Sequence, residues 1–266
     1  MKNKEEMSFL DHLEILRWHL VRSGIAILFF SILAFIFKEI IFDVVLLAPK
    51  DPNFLTYRFL CNISQGLGLG DALCIKESPF SLMNINMAGQ FSAHLLTSFY
   101  AGFILAFPYV FWEIWKFVLP ALKEKEAKVS RGIVFFSSLL FLTGVIFGYF
   151  VIAPLSINFL GSYQVSQTVA NQISLSSFIS TVTTISLANG IIFELPILVY
   201  FLTKIGLLTP EFMRTYRRHA MVITLILSAI ITPPDITSQI LVSFPLIILY
   251  EISIQISKAI VKKNNR

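Results

Sequence analysis

Charged residues are scarce in this chain. Asp, Glu, Lys and Arg make up 14% of its 266 residues, against roughly 25% in an ordinary soluble domain. Hydrophobic residues account for 56%, and mean hydropathy is +0.75. So few charges cannot cover so much apolar side chain in water, which excludes a cytosolic enzyme and a disordered chain. Cysteine is nearly absent as well. Cys61 and Cys74 are too few for the disulfide framework of a secreted scaffold or for a zinc site. No H-E-x-x-H, G-x-S-x-G or P-loop occurs, so no catalytic residue, metal ligand or cofactor is expected. Gly68-Leu69-Gly70-Asp71 mimics the G-x-G-D of intramembrane aspartic proteases. It lies in a polar connection, with no second Asp inside an apolar run, and reads as turn chemistry. The net charge of +5 comes with no stripe of Arg and Lys interleaved with stacking aromatics, so nucleic acid is not an expected partner.

What fills the chain instead is a series of apolar runs, several of which reach the roughly 20 residues a bilayer span needs. Six are read, at about Ser23–Phe42, Phe91–Val118, Gly132–Ile152, Leu175–Thr203, Ala220–Ile231 and Ile240–Ser257. The expected fold class is an all-α membrane protein with six transmembrane helices, residues 1–266 forming a single polytopic membrane domain. Residues 1–20 mix acids and bases ahead of a run far longer than a signal-peptide core, so no cleaved signal is expected. Residues 8–20 read as a short amphipathic helix with Phe9, Leu13, Leu16 and Leu20 on one face. Such a helix lies in the interface before the chain turns into the first span. Pro154 is placed to end the third run and Pro233–Pro234 the fifth, while Pro108, Pro196 and Pro245 predict kinks within spans two, four and six. The fifth run has 12 uncharged residues, about 18 Å of helix. Either the bilayer thins around it, or the helix extends into Arg217–His219 with its charges snorkelling, or its neighbours bury it.

Six spans put both termini on one side, and the basic residues decide which. Seventeen of the 21 Lys and Arg residues fall in the N-terminal segment, the second-to-third connection, the fourth-to-fifth connection and the tail. Lys38, Lys50, Arg58 and Lys76 lie at or beyond the end of span one, and residues 153–174 and 232–239 have none. The positive-inside rule then makes both termini cytoplasmic. The first outer connection, about residues 43–90, is long enough to have structure or function of its own. It carries both cysteines. In an oxidising periplasm these are free to pair, and an intramolecular disulfide is the expectation.

Acids within apolar runs are expensive and mark function or partners. Glu194 lies ten residues before Lys204, about 15 Å along the helix and near the bilayer centre. It follows Asn189 and precedes Pro196. One reading is a neutral acid bonded to a freed carbonyl; the other is a polar site facing a groove or a partner helix. Glu251 is shallower and placed to snorkel or pair. Asp235 follows Pro233–Pro234 and is placed to cap the sixth helix. Span four opens on Ser174, Ser176, Ser177, Ser180, Thr181, Thr183 and Thr184, a polar half that faces protein or a water-filled concavity. Gly144 and Gly148 allow close helix approach in span three. A secondary transporter is suggested by the proline-broken spans, but the internal repeat it requires is not visible.

Taken in order, these residues resemble a known family. Ser8-Phe9-Leu10-Asp11-His12-Leu13-Glu14-Ile15-Leu16-Arg17 resembles the opening of the TatC family, the multispan subunit of the twin-arginine protein translocase. So do Phe107-Pro108, then Trp115-Lys116-Phe117-Val118-Leu119-Pro120-Ala121-Leu122 with Glu126. Phe147-Gly148-Tyr149-Phe150, Phe193-Glu194-Leu195-Pro196, Arg217-Arg218, Thr232-Pro233-Pro234-Asp235 with Ser238-Gln239, and Tyr250-Glu251 continue the match. Residues 50–80 stand as an insertion. The resemblance implies a cupped six-span bundle in the bacterial inner membrane and no covalent catalysis. It implies binding of twin-arginine signal peptides of folded cargo at the cytoplasmic face, and assembly with TatA- and TatB-type single-span partners. Export is then driven by the proton-motive force, from a receptor complex that contains several copies of the chain. Glu126, Glu14 and Phe117 fall on signal-binding positions, and Glu194, Gln239, Asp235 and Tyr149 on intramembrane polar or partner-contact positions. The family's usual H-L-x-E-L-R has Glu where this chain has Ile15, and Glu14 lies about 100° around the helix from it. Either Glu14 takes over that contact or the contact is weaker.

Overall fold

The first apolar run is longer than one span requires. In the structure, a computed structural model, α1 is a single helix, Phe9–Ile36. The structure describes residues 9–72, 74–75, 80–118, 130–166, 168, 171–232 and 236–264. The expected break between an interfacial helix at 8–20 and a span from Ser23 is therefore corrected: one helix runs through both. No proline interrupts it, Gly24 alone does not break it, and Leu13, Ile15, Trp18 and Leu20 are all exposed rather than gathered on one buried face. Beyond α1 a wide π turn, Ile40–Leu46, and a short 3-10 turn, Ala48–Lys50, lead into α2, Leu55–Gly66. The remaining helices are α3 (Gly89–Val118), α4 (Ser130–Phe147), α5 (Ala153–Ser162), α6 (Leu175–Ile192), α7 (Leu195–Lys204), α8 (Pro210–Thr215), α9 (Arg217–Ile231) and α10 (Ile236–Asn264).

Five runs among the described residues are long and apolar enough to cross a bilayer: Leu13–Ile36, Gly89–Val118, Gly132–Ser162, Leu175–Lys204 and Ser238–Lys262. Helix α9, with 15 residues, is the sixth and falls short at about 22 Å. It begins at Arg217, so the helix does extend into the charged end. Most of its apolar side chains are exposed while Thr224 and Ser228 are buried, so its neighbours do not enclose it. The third span does not stop before Pro154. A second π turn, Gly148–Ile152, carries the chain into α5, where Pro154 sits in the first turn and its missing N–H costs no hydrogen bond. Pro108 and Pro245 lie inside α3 and α10. Pro196 opens α7 after a two-residue turn at Phe193–Glu194.

The chain divides into two compact units, the described residues of Met1–Lys38 with Leu95–Leu139, and those of Glu39–His94 with Leu140–Arg266. In the first, α1 packs on α3 where α3 has Gly102. A Cβ there would stand 2.5 Å from the Ser31 backbone nitrogen. In the second, α4 and the π turn that follows it meet α6 at Gly144 and Gly148, where added Cβ atoms would stand 2.5 Å from the Asn189 carbonyl and 2.9 Å from that of Ile185. The close approach expected of this glycine pair is made inside the chain. The core of this unit gathers Phe80, Ile152, Phe178, Ile185, Val242 and Leu246.

The described residues of the long first connection are folded. Strand β1, Ser81–Met83, pairs in parallel with β2, Gln172–Ser174, with Leu82 opposite Ile173. Cys61 and Cys74 are bonded, their Cα atoms 4.4 Å apart, which closes the end of α2 onto the loop after it. The buried phenol of Tyr57 donates to the carbonyls of Pro49 and Pro154, both at 2.9 Å, and burial pushes its pKa up. The Phe54 and Phe150 rings stack at 5.6 Å. α2 is thus held against the second π turn.

Candidate functional site

Within the first unit, the end of α3 carries Tyr109, Trp112, Glu113, Lys116 and Phe117 at spacings of three and four, which brings their side chains to neighbouring faces. Glu113 is 1% exposed. Nδ1 of His19 in α1 stands 2.6 Å from its Oε2, and Lys116 donates to its Oε1 at 3.2 Å. Arg22 adds a guanidinium at 3.9 Å. The His19 ring also meets Phe117 edge-on, with centroids 6.3 Å apart, and the Lys116 ammonium lies 3.4 Å from the centre of the Trp112 ring. This carboxylate is ringed by an imidazole, an ammonium and a guanidinium of its own chain, and the His19 contact ties α1 to α3.

Sequence reading passed over Glu113, because it weighed Lys116 as a topology marker and the surrounding residues as an apolar run. The signal was an acid three residues from a lysine inside that run. Of the expected signal-binding residues, Phe117 sits on this cluster. Glu14 is exposed on α1, one turn and a residue before His19. Glu126 lies outside the described residues. The acids that the resemblance assigns to an arginine pair remain the exposed Glu14 and the connection residue Glu126.

The second unit holds the expected intramembrane polar residues. Glu194 is half-buried in the turn between α6 and α7, where its carbonyl accepts the amides of Ile197 and Leu198, both at 3.0 Å. One turn earlier Asn189 is fully buried and donates to Ile185 O at 2.8 Å, leaving its own side-chain oxygen without a partner. Gln239 donates to Leu225 O at 3.3 Å, and the Tyr149 hydroxyl to Val45 O at 2.5 Å, both within this unit. Asp235 lies outside the described residues. Glu251 pairs with Arg217 at 2.6 Å. Helix α10 is joined to three others by hydroxyl pairs: Ser238 with Ser156 at 2.8 Å, Ser243 with Ser228 at 2.7 Å and Ser257 with Thr203 at 3.0 Å. In an apolar medium such pairs satisfy groups that have no water to turn to.

The polar opening of α6 divides as expected between protein and a concavity. Ser174 caps the helix by accepting the Ser177 amide, and buried Thr183 and Ser186 bond back to Ile179 O and Val182 O. Ser180, Thr181 and Thr184 line a recess of about 250 Å³ with Ile231 and Thr232.

Comparison with known proteins places this arrangement. The family described as Sec-independent protein translocase protein (TatC) matches residues 11–245. The TatC protein of Blattabacterium from Periplaneta americana is 42% identical over 265 residues, 99% of this chain and 100% of its own. That of Aquifex aeolicus is 34% identical, covering 97% of each. A crystal structure of the twin-arginine translocase receptor TatC superposes with a TM-score of 0.71 at 33% identity, over 94% of this chain and 99% of that one. With a family match over residues 11–245 and relatives of this identity, the chain belongs to the TatC family of protein translocase subunits, components of transport.

Proposed function

We propose that this chain is the receptor subunit of a bacterial twin-arginine translocase, a multi-pass protein of the inner membrane with both termini in the cytoplasm. It binds the paired arginines of signal peptides on folded cargo at its cytoplasmic face. It then assembles with TatA- and TatB-type single-span partners and with further copies of itself for export driven by the proton-motive force. The observation that carries this reading is the near-complete superposition on the twin-arginine translocase receptor. The charge asymmetry supports the orientation, since 17 of 21 basic residues lie in segments assigned to one side.

Recognition follows from the chemistry of arginine, whose planar guanidinium pairs with carboxylates through charge-assisted hydrogen bonds. The cytoplasmic segments are strongly basic, so an arginine pair needs acids there; Glu126 and Glu14 are assigned that role, with Phe117 as an apolar contact. Glu194, Gln239, Asp235 and Tyr149 are assigned to the intramembrane polar and partner-contact set. The test is site-specific crosslinking of a twin-arginine signal peptide in membranes. Glu126→Lys is expected to abolish it with normal protein levels, Glu126→Gln to weaken it less, and changes at Glu14 to matter less than those at Glu126. Undiminished crosslinking to Glu126→Lys removes that residue from the recognition site.

A further inference from the structure

The buried face of α2 is accounted for by Tyr57 and Ser64, but its other side is not. Leu55 and Phe59, one turn apart, are 66% and 63% exposed. They border a groove of about 440 Å³ whose other walls are Arg58, Asn62, Phe150, Val151 and Thr56, whose hydroxyl donates to the Phe150 carbonyl. A residue count from the basic end of the third span sets the level of this groove in a bilayer. The third span begins at Gly132, directly after Arg131, and about 30 Å of hydrocarbon takes about 20 helical residues. That count ends at the π turn which contains Phe150 and Val151, so the groove opens where acyl chains meet headgroups. The Tyr57 bond to Pro154 and the Phe54–Phe150 stack hold α2 at that level.

The chemistry of the walls is divided in the same way. Leu55, Phe59, Phe150 and Val151 are apolar. Arg58 and Asn62 are one helical turn apart and offer a guanidinium and an amide. No carboxylate among the described residues is paired with Arg58. We propose that this groove binds one anionic phospholipid of the surrounding bilayer. The headgroup phosphate is held by Arg58 and Asn62, and the first part of an acyl chain lies along the four apolar residues. The uncompensated positive charge selects a net-negative headgroup over a zwitterionic one. This assignment is independent of signal recognition and uses none of its residues.

The experiment is native mass spectrometry of the full-length protein, extracted in mild detergent and exposed to equal phosphatidylglycerol and phosphatidylcholine. A single cation near an interface is expected to favour the anionic lipid about fivefold. Arg58→Gln is expected to bring that ratio near unity, and Phe59→Ala to shorten retention of both lipids. Asn62→Asp, of nearly the same volume, is expected to lower the ratio as well. The absence of free thiols at Cys61 and Cys74, together with a melting temperature equal to that of the wild type, reports that α2 is folded in each variant. An unchanged ratio in folded Arg58→Gln and Asn62→Asp overturns the proposal. So does loss of both lipids from the wild type on washing. Displacement of phosphatidylglycerol by millimolar inorganic phosphate also overturns it, since the site is then a simple anion site.

Discussion

Glu113 puts a carboxylate where almost no solvent reaches it, with His19 and Lys116 in hydrogen-bond range. Removing one member of such a group leaves its partners desolvated and unmatched. Lys116 and Arg22 are partly exposed and can turn back to water, so the penalty is smaller than for a sealed pair. Glu113→Ala is expected to cost about 1–3 kcal/mol, and Glu113→Gln, which keeps hydrogen-bonding capacity, about 1 kcal/mol or less. Thermal unfolding of detergent-solubilised variants measures the difference, and equal melting temperatures for Ala, Gln and wild type would contradict this role. Glu194 differs because it stands mid-span beside a turn. Glu194→Gln is expected to transport cargo nearly as wild type does and Glu194→Leu to be impaired, since the amide keeps a capacity to hydrogen-bond that leucine lacks. Full export by the Leu variant at normal protein levels would mark the residue as idle. Both acids were open to reading as expensive charges in apolar runs. Glu194 drew attention because Pro196 and Asn189 flank it. Glu113 drew none, because its partner His19 is 94 residues away and no local pattern announces that contact.

Helix α2 shows how a short element is held by what it touches. Its 12 residues are marginal as an isolated helix. The disulfide at one end and the Tyr57 phenol near the other tie it down. The folded phenol is held neutral to a higher pH than an unfolded one. Its contribution is therefore fully present below about pH 10 and falls away as pH rises from there through the folded value. Melting temperature measured from about pH 9 to about pH 12 is expected to drop more steeply for wild type than for Tyr57→Phe; parallel curves would remove the phenol from the account. At this scale the sequence was readable where apolar runs are long and unbroken, as in α3 and α10. It was not readable at the two π turns. Pro154 looked like a stop until the wide turn before it and the carbonyl contact from Tyr57 were in place, and both depend on the fold around them. The unbroken α1 was missed because a helical wheel drawn on residues 8–20 alone finds an apolar face that Ile15 and Trp18 spoil.

Across the whole chain five of the six spans and their order could be read directly, because bilayer thickness converts to residues almost without reference to packing; α9, at about 22 Å, is the one that this conversion does not give. Orientation rests on the Lys and Arg distribution. A cysteine placed at Asn264 is expected to react with a membrane-impermeant maleimide only from the cytoplasmic side, and one at Asn171 only from outside. Reversed labelling at either position contradicts the six-span arrangement. What the chain did not announce is its division into two units that share helices α3 and α4, each helix contributing one end to each unit. No composition shift marks His94 from Leu95 or Leu139 from Leu140, since the boundary falls inside continuous apolar helix.

The pairing of β1 with β2 sets an order of events during synthesis. Ser81 has to wait for Gln172, roughly 90 residues later, which at about 5–20 residues per second is on the order of 5–20 seconds. The phenol of Tyr57 waits in the same way for Pro154, 97 residues on. Through that interval the ribosome has already delivered the first long connection, whose disulfide needs only a 13-residue separation to close. Both cysteines are thus delivered well before the strand and the third span that seat the connection, so its local closure does not depend on them. An insertion machinery that lets go of the early helices before then releases a chain whose first connection has nowhere to seat.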